Sequence, residues 1–562
     1  MMKKIRLFCY FFFFFFSLSS LVGGILASNY TIGVGKADIT GSPTQIGMMG
    51  YGEAGQIATG LRTRLYSRAF YFEHPQSKER FVYVSAEIQG MQQSITVEVI
   101  NRLKKNLPQA KLSEKNVILS VTHNHSGPGA YSWHALYNLS TKGFDKENLE
   151  AIVSGITQSI KRAYENRKAN SKVYIKSGRL FNSQFNRSPN AYQLNPKSEQ
   201  EKYKEITDDG MTVLKIVGPD KKPVGMISWF ALHASSVGKD NTLINSDNKG
   251  YASYLFEQKM GKNFIAAFGQ ANEGDISPNI ERNCCQWEMK NGQMPICTDS
   301  LETKVYNFYG IKDSCLAEPN DCGKDPIKCT AMGPAKYYNK KGYDREVVSA
   351  KIMGQKQYSK ALTLFNQART EVSGSIFSVH KHIDMTRQNI QKEFMPCLGS
   401  YKKWCEKELH IFYDEARQLF YHSDKKKKKR YWPNKTCTAA LGVGFAAGTT
   451  DGVGIGILGF SQSRKKKSFL GSMLSVFLSK NPTKTDDICH YPKPILLNLG
   501  KNSGAKTTVK SPFCLKTKAG CPSWVPVIIP LQIIRFGQVI IPSLPAEFTT
   551  MAGRRIKKII QE

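Results

Sequence analysis

The 562-residue chain is short of acidic residues: 45 Asp+Glu stand against 79 Lys+Arg, a formal net charge of +34 at pH 7. Such a surplus suits an acidic partner, whether nucleic acid, anionic lipid or polyanionic sugar, and does not choose among them. No internal repeat is evident, which sets repeat architectures aside. No C-x2-C pair of a zinc ribbon occurs, and no G-x-S-x-G elbow of a serine hydrolase. Beyond residue 27 there is no long apolar run, so the mature chain is not expected to cross a membrane repeatedly. Apolar material is ample: 41% of residues are hydrophobic and 11% aromatic, enough for a sizeable core and too much for wholesale disorder. The length allows two to four ordinary domains or one unusually large one.

The N-terminus is where the apolar residues crowd. Lys3, Lys4 and Arg6 precede an apolar run with six consecutive phenylalanines, Phe11 to Phe16, and the stretch closes on small residues around Ala27 and Ser28. This is the pattern of a secretory signal peptide over residues 1–28. An uncleaved signal anchor is the rival reading, since the run approaches membrane-spanning length. Of 13 cysteines, Cys9 lies in this leader, leaving an even number expected to form disulfides in an oxidising compartment. Sequons at Asn29, Asn138 and Asn434 are compatible with glycosylation. The expected location is therefore secreted or extracellular, or the lumen of the secretory and endocytic pathway. Export argues against nucleic acid as a partner.

Runs such as Phe81–Ser85, Val117–Val121, Val173–Lys176, Val213–Val217, Met226–Leu232 and Phe264–Phe268 read as strands. Three-to-four spacing of apolar residues predicts helices near Leu149–Glu165, Gly250–Lys259 and Ser349–Arg369, with another starting near Thr549 after Pro545. The fold class is mixed α/β (α+β), one large domain over residues 29–562, with polar clusters at strand ends. Two basic runs, Lys425–Arg430 and Arg464–Lys467, read as solvated loops or as contacts with an anionic membrane.

Those strand ends carry the chemistry. Val117–Val121 runs into Thr122-His123-Asn124-His125-Ser126-Gly127-Pro128-Gly129. If the chain stays extended, His123 and His125 share a face, an arrangement that suits one metal ligand and one acid/base partner. His233 ends another strand, as a satisfied core residue or as a ligand. Asn245–Asn248 would cap a helix or line a site. Asp275 and Ser277 share a face if their segment is extended. Glu547 sits where a strand hands over to a helix, a place that favours a carboxylate in any case. Together these offer imidazoles and a carboxylate at strand ends, the composition of a catalytic zinc site with an open position for water. Gly454–Gly459 matches G-x-G-x-x-G but lacks the acidic residue that a dinucleotide site needs further on.

Seven blocks occur in an order that resembles the neutral ceramidase family: Gly50-Tyr-Gly-Glu-Ala-Gly-Gln, Thr63-Arg-Leu-Tyr-Ser-Arg-Ala-Phe, the His123/His125 segment, Asn186-Arg-Ser-Pro, Asn245-Ser-Asp-Asn-Lys-Gly-Tyr-Ala, Gly274-Asp-Ile-Ser-Pro-Asn and Glu547-Phe-Thr-Thr-Met-Ala-Gly-Arg-Arg. The resemblance covers about Tyr30 to Arg555. It implies a secreted or surface amidohydrolase that cleaves the N-acyl bond of ceramide to sphingosine and a fatty acid, with one Zn2+ per chain. By this resemblance His123, His233 and Glu547 are the metal ligands, His125 is a proton donor, Arg187 polarises or positions the substrate, and Ser277 is the reported nucleophile or essential serine. A disulfide between Cys437 and Cys489 is implied too, as is a cysteine cluster of Cys284 or Cys285 with Cys315, Cys322 and Cys329.

The sequence departs from the family's pattern at one point. The family places a further tyrosine ligand beyond the E-F-T-T helix, followed by an immunoglobulin-like β-sandwich, and the sequence stops at Glu562 before either. A truncated record is the expectation. The competing functions are an N-acyl amidase for another lipid and a catalytically impaired basic secreted protein that binds anionic membrane or glycan.

Overall fold

The computed structural model describes residues 29–280 (Leu194 apart), 344–386, 388–389, short stretches between 402 and 499, and 524–561. The leader, most of the cysteines, Asn434, Gly454–Gly459 and the second basic run fall outside these residues, as does most of the first basic run. Cys437 is disulfide-bonded, and its expected partner Cys489 lies outside them.

One mixed sheet organises the described chain. Its strands are β1 (Tyr30–Asp38), β2 (Tyr66–Glu73), β3 (Arg80–Ala86), β4 (Val117–Val121), β5 (Lys168–Arg179), β6 (Gly210–Val217), β7 (Pro223–Phe230), β8 (Ile265–Gln270) and β9 (Thr370–Val372). The spatial order is β8-β7-β6-β5-β1-β2-β3-β4, and β9 pairs with β5 in addition. Only the outermost pairs, β3 with β4 and β7 with β8, are parallel. One face carries α1 (Gln93–Asn106) and α2 (Lys146–Glu165) over β1–β3, and α3 (Asp247–Met260) and α4 (Arg345–Gln367) over β6–β8. The other face closes on its own core, where Phe70, Phe72, Tyr83, Ile118, Leu214 and Ile227 meet. Strands covered on both faces become continuous apolar runs rather than alternating ones, as in β2 and β3. Each fully buried phenylalanine contributes about 1.5–3 kcal/mol from burial. Helix α2 seats itself against β1 because glycine permits it: a Cβ on Gly33 would fall 1.9 Å from the Ala163 carbonyl oxygen.

A second sheet of β10 (Ile376–Asp384), β11 (Ile528–Phe536) and β12 (Val539–Ser543) seals this inner core. Phe536 packs on Phe72 and Phe81 at ring separations of 5.1 and 5.3 Å. The last helix, α5 (Thr550–Gln561), follows β12.

The large sheet coils until its edges meet. Gln270, at the end of β8, donates to the Thr122 carbonyl just past β4 at 2.8 Å and to the Leu232 carbonyl just past β7 at 2.6 Å. Trp229, near the end of β7, donates its Nε1–H to the hydroxyl of Tyr83 on β3 at 3.1 Å. The C-terminal ends of β4, β7 and β8 therefore converge, although they lie at opposite edges of the hydrogen-bonded order. Binding residues commonly sit on loops at such strand ends, held by a rigid scaffold.

The mixed α/β class and every strand and helix expected from periodicity are present, with shifted ends. β7 stops at Phe230, and α3 begins at Asp247 rather than near Gly250. Helix α1 escaped the reading. Its buried apolar set is only Ile95, Val99, Ile100 and Leu103, a narrow stripe on a polar helix.

Candidate active site and metal centre

His123, His125 and His233 meet at the convergence, their ligand nitrogens all within 4.8 Å of one another. An isolated parallel bridge between Asn124 and Ala234 joins the two histidine segments, and His125 N–H donates to the Ala234 carbonyl at 3.2 Å. His123 has φ of 61°, in the left-handed region. The two imidazoles thus come together through a turn and not through an extended i, i+2 spacing, which corrects the sequence expectation. A non-glycine residue held there costs of order 1 kcal/mol or more and persists only where its surroundings enforce it.

Tautomers follow from the acceptors. His123 Nδ1 lies 2.8 Å from the Gln89 carbonyl, and His233 Nδ1 lies 2.9 Å from the carbonyls of Glu273 and Ile276. A carbonyl only accepts, so in the neutral rings both Nδ1 atoms carry the hydrogen and both Nε2 atoms present lone pairs. His125 Nε2 faces His123 Nε2 at 3.0 Å and must supply the hydrogen between them. The cluster therefore has two lone-pair nitrogens and one N–H. Burial first, and then the positive Arg187 nearby, push His233 down to about 3; burial likewise holds His125 well below its usual value. Neutral imidazole is the form that ligates metal.

Glu547 completes the set from the other end of the chain. Its Oε1 is 3.5 Å from His123 Nε2 and its Oε2 is 3.6 Å from His233 Nε2, and the side chain is half-exposed. Burial opposes ionisation, yet the surrounding imidazoles and Arg187 hold this carboxyl far below the usual carboxylate range. Bonds of 2.0–2.2 Å to a tetrahedral zinc separate its ligand atoms by roughly 3.3–3.5 Å. The two carboxylate-to-imidazole distances lie close to that figure, and carbonyls orienting the far nitrogens are the usual outer support of such ligands. The residues fit a zinc ion.

Arg187 reaches the same place. Its Nη2 donates to His233 Nε2 at 3.1 Å and to the Gly274 carbonyl at 3.0 Å. It directly follows a two-residue strand, Phe185–Asn186, paired with Ile276 and Ser277, so the Asn186-Arg-Ser-Pro and Gly274-Asp-Ile-Ser-Pro-Asn blocks are neighbours. Ser277 is fully buried and its Oγ accepts the Asn279 N–H at 3.1 Å. Among the described residues no hydrogen bond joins that hydroxyl to the imidazoles. Asp275 does not share a face with Ser277, because a turn precedes the short strand. Its Oδ1 instead accepts the Thr550 N–H at 2.7 Å and the Thr550 hydroxyl at 2.8 Å, capping α5 and fixing the segment that carries Glu547. Gly274 admits that segment, since a Cβ there would lie 2.4 Å from the Glu547 carbonyl oxygen.

Asn245–Asn248 serve as scaffold. Asp247 accepts the N–H groups of Ser236 and Val237 at 3.2 and 3.0 Å, and Asn248 donates to the His233 carbonyl at 2.9 Å. Lys249, fully buried, donates to the carbonyls of Phe230 and Gly269 at 2.9 and 3.0 Å, fastening β7 to β8 below His233. Tyr51 packs edge-on to the His125 ring at 4.8 Å. Beneath the histidine turn, buried Arg68 pairs with Glu87 at 2.5 Å and Glu257 at 2.7 Å. Sequence reasoning gave Gln89, Tyr51, Arg68 and Gln270 no role; only the family blocks around Tyr51 and Arg68 carried a signal. Asn138 corrects another expectation: its amide is buried and donates to the Ser132 carbonyl at 2.6 Å, so a glycan there would displace it.

Residues 30–562 match the family model described as "Neutral/alkaline non-lysosomal ceramidase, N-terminal". Neutral ceramidase B of Dictyostelium discoideum is 33% identical over 543 residues, covering 95% of this chain and 64% of that protein. The neutral ceramidase of Pseudomonas aeruginosa is 32% identical over 534 residues, with 95% and 63% covered. The crystal structure of neutral ceramidase from Pseudomonas aeruginosa superposes with a TM-score of 0.65 at 30% identity, covering 95% of this chain and 65% of that one. A structure of a ceramidase complexed with C2 gives 0.67 at 31% identity, with 95% and 66% covered. This chain thus spans a little under two thirds of the length of these curated relatives, and it belongs to the neutral/alkaline non-lysosomal ceramidase family.

Proposed function

We propose that the chain hydrolyses the N-acyl amide of ceramide to sphingosine and a free fatty acid, with one Zn2+ held by His123, His233 and Glu547. The observation that carries this reading is the set of lone-pair Nε2 atoms of His123 and His233 facing the Glu547 carboxylate at ligand-to-ligand spacing. When bound, such an ion polarises a carbonyl and lowers the pKa of water towards about 7. Arg187 stands where its guanidinium would stabilise charge developing on the amide oxygen. His125 would serve as the acid/base group, taking up the proton released as water adds to the amide and returning it to the departing amine. Ser277 lines and orders the adjacent backbone, which favours a positioning role over direct attack.

Basic surface charge suits a lipid substrate in anionic bilayers, and the leader suits export. Among the described residues no helix is long and apolar enough to cross a membrane.

The test uses the 562-residue chain and N-acylsphingosine in anionic vesicles. Sphingosine release should be abolished by chelation, restored by Zn2+, and lost in His123→Ala. Robust turnover by that variant would falsify the zinc assignment. Release from other N-acyl lipids only would point to a different amidase, and salt-sensitive vesicle binding without turnover to an impaired binding protein.

A further inference from the structure

A second group of imidazoles and a carboxylate lies away from the active site. Strand β10 presents His380 and His382 two residues apart, so their side chains share a face, and their rings stand 4.8 Å apart. Glu114, in the turn that leads into β4, faces them: Glu114 Oε2 is 3.5 Å from His382 Nε2. The ligand atoms of all three lie within 4.8 Å of one another.

The neighbouring strand builds this juxtaposition. In the β10–β11 register Gln532 stands opposite His380 and Pro530 opposite His382. The buried Gln532 amide donates to the carbonyls of Glu114 and Lys115 at 3.1 and 3.0 Å, pinning the turn beside the histidine pair. Strand geometry fixes the two histidines, and one glutamine fixes the carboxylate relative to them.

We propose that Glu114, His380 and His382 form a second metal site, which takes a divalent transition-metal ion such as Zn2+ or Cu2+. Two imidazoles and one carboxylate suit these borderline ions, whereas Ca2+ and Mg2+ need oxygen ligands throughout. The Glu114–His382 spacing already equals the roughly 3.3–3.5 Å that separates ligands around a tetrahedral zinc. Closing the remaining gap to His380 would take side-chain rotation of His382 and Glu114, both half-exposed. Burial and the neighbouring imidazole hold His380 below its usual value. Lys115 beside the group opposes the cation, which makes this the weaker of the two sites. An ion bound here would tie β10 to the start of β4, the strand that leads to His123.

Chelator-stripped protein titrated with Zn2+ by calorimetry, alongside the double variant His380→Ala/His382→Ala, decides the matter. The wild type should bind one equivalent more than the variant, whatever occupies the buried cluster. Equal stoichiometry would overturn the proposal. Cu2+ bound to the wild type should show imidazole nitrogen hyperfine coupling by electron paramagnetic resonance that the double variant lacks at this site. Should the double variant misfold, Glu114→Gln serves instead. It should weaken the second binding step by at least the about 10-fold that loss of even an outer partner costs, and an unchanged step overturns the carboxylate's part.

Discussion

Among the described residues two His/His/carboxylate clusters are built in opposite ways. Around His123 and His233 the ligands come from segments distant in sequence, the rings are buried, and backbone carbonyls hold both Nδ1 atoms. At Glu114, His380 and His382 a single strand would supply two ligands, the group is partly exposed, and among the described residues no carbonyl holds either ring. Residue types alone do not distinguish the two. Preorganisation does: a ligand whose tautomer and orientation are fixed beforehand loses little on binding, whereas a solvated one must first be ordered. The first arrangement suits catalysis and the second a reversible tie.

The largest expected effect comes from removing the carboxylate of the buried cluster. Glu547→Gln should lower ceramide turnover by at least about 10^3-fold, towards the upper range for loss of a group acting directly at the reacting centre, and should leave the surface step of the zinc titration unchanged. A parallel loss at both sites would show that they are coupled.

Next is the scaffold of the buried cluster. Arg68 compensates two buried carboxylates, Glu87 and Glu257, and the Glu87 carbonyl accepts from Asn124 within the histidine turn at 3.3 Å. Arg68→Ala should cost about 3–5 kcal/mol of stability by denaturant unfolding, because it leaves buried charge unpaired. A loss below about 1 kcal/mol would mean that water reaches the network and that the contrast in burial is overstated.

The smallest effect is one of pH. Burial lowers Lys249 to about 7 from an unfolded value of 10.5. Between these values the unfolded chain binds more protons than the folded one, so this lysine makes stability rise with pH across that window and adds no slope below it. Lys249→Met should flatten the rise in midpoint between pH 7.5 and 9.5. An unaltered slope would show Lys249 charged in the folded state.

Much of this was legible in the sequence, for identifiable reasons. The strand Val117–Val121 and the helices at 149–165 and 349–369 announce themselves by periodicity, which burial on one face enforces. The candidate ligands His123 and Glu547 were legible because seven blocks keep a family's order, and His233 because it ends the Trp229-Phe-Ala-Leu strand in a segment that resembles the family's as well. What was hidden depends on tertiary closure. Nothing near Gln270 or Gln89 indicates that one stitches two sheet edges and the other sets a tautomer, since glutamine does neither without a partner far along the chain. The left-handed turn at His123 was hidden because His-x-His reads most simply as a strand, and Glu114 beside His380 was hidden because Gln532 creates that neighbourhood.

The cap that Asp275 places on the last helix has a consequence for synthesis. A chain made from its N-terminus can fold the coiled sheet and set both imidazoles in place while the segment bearing Glu547 is still within the ribosome. Until Thr550 reaches Asp275, the Glu547 carboxylate is not held against the two imidazoles, so the proposed metal site would be completed only once that helix has docked.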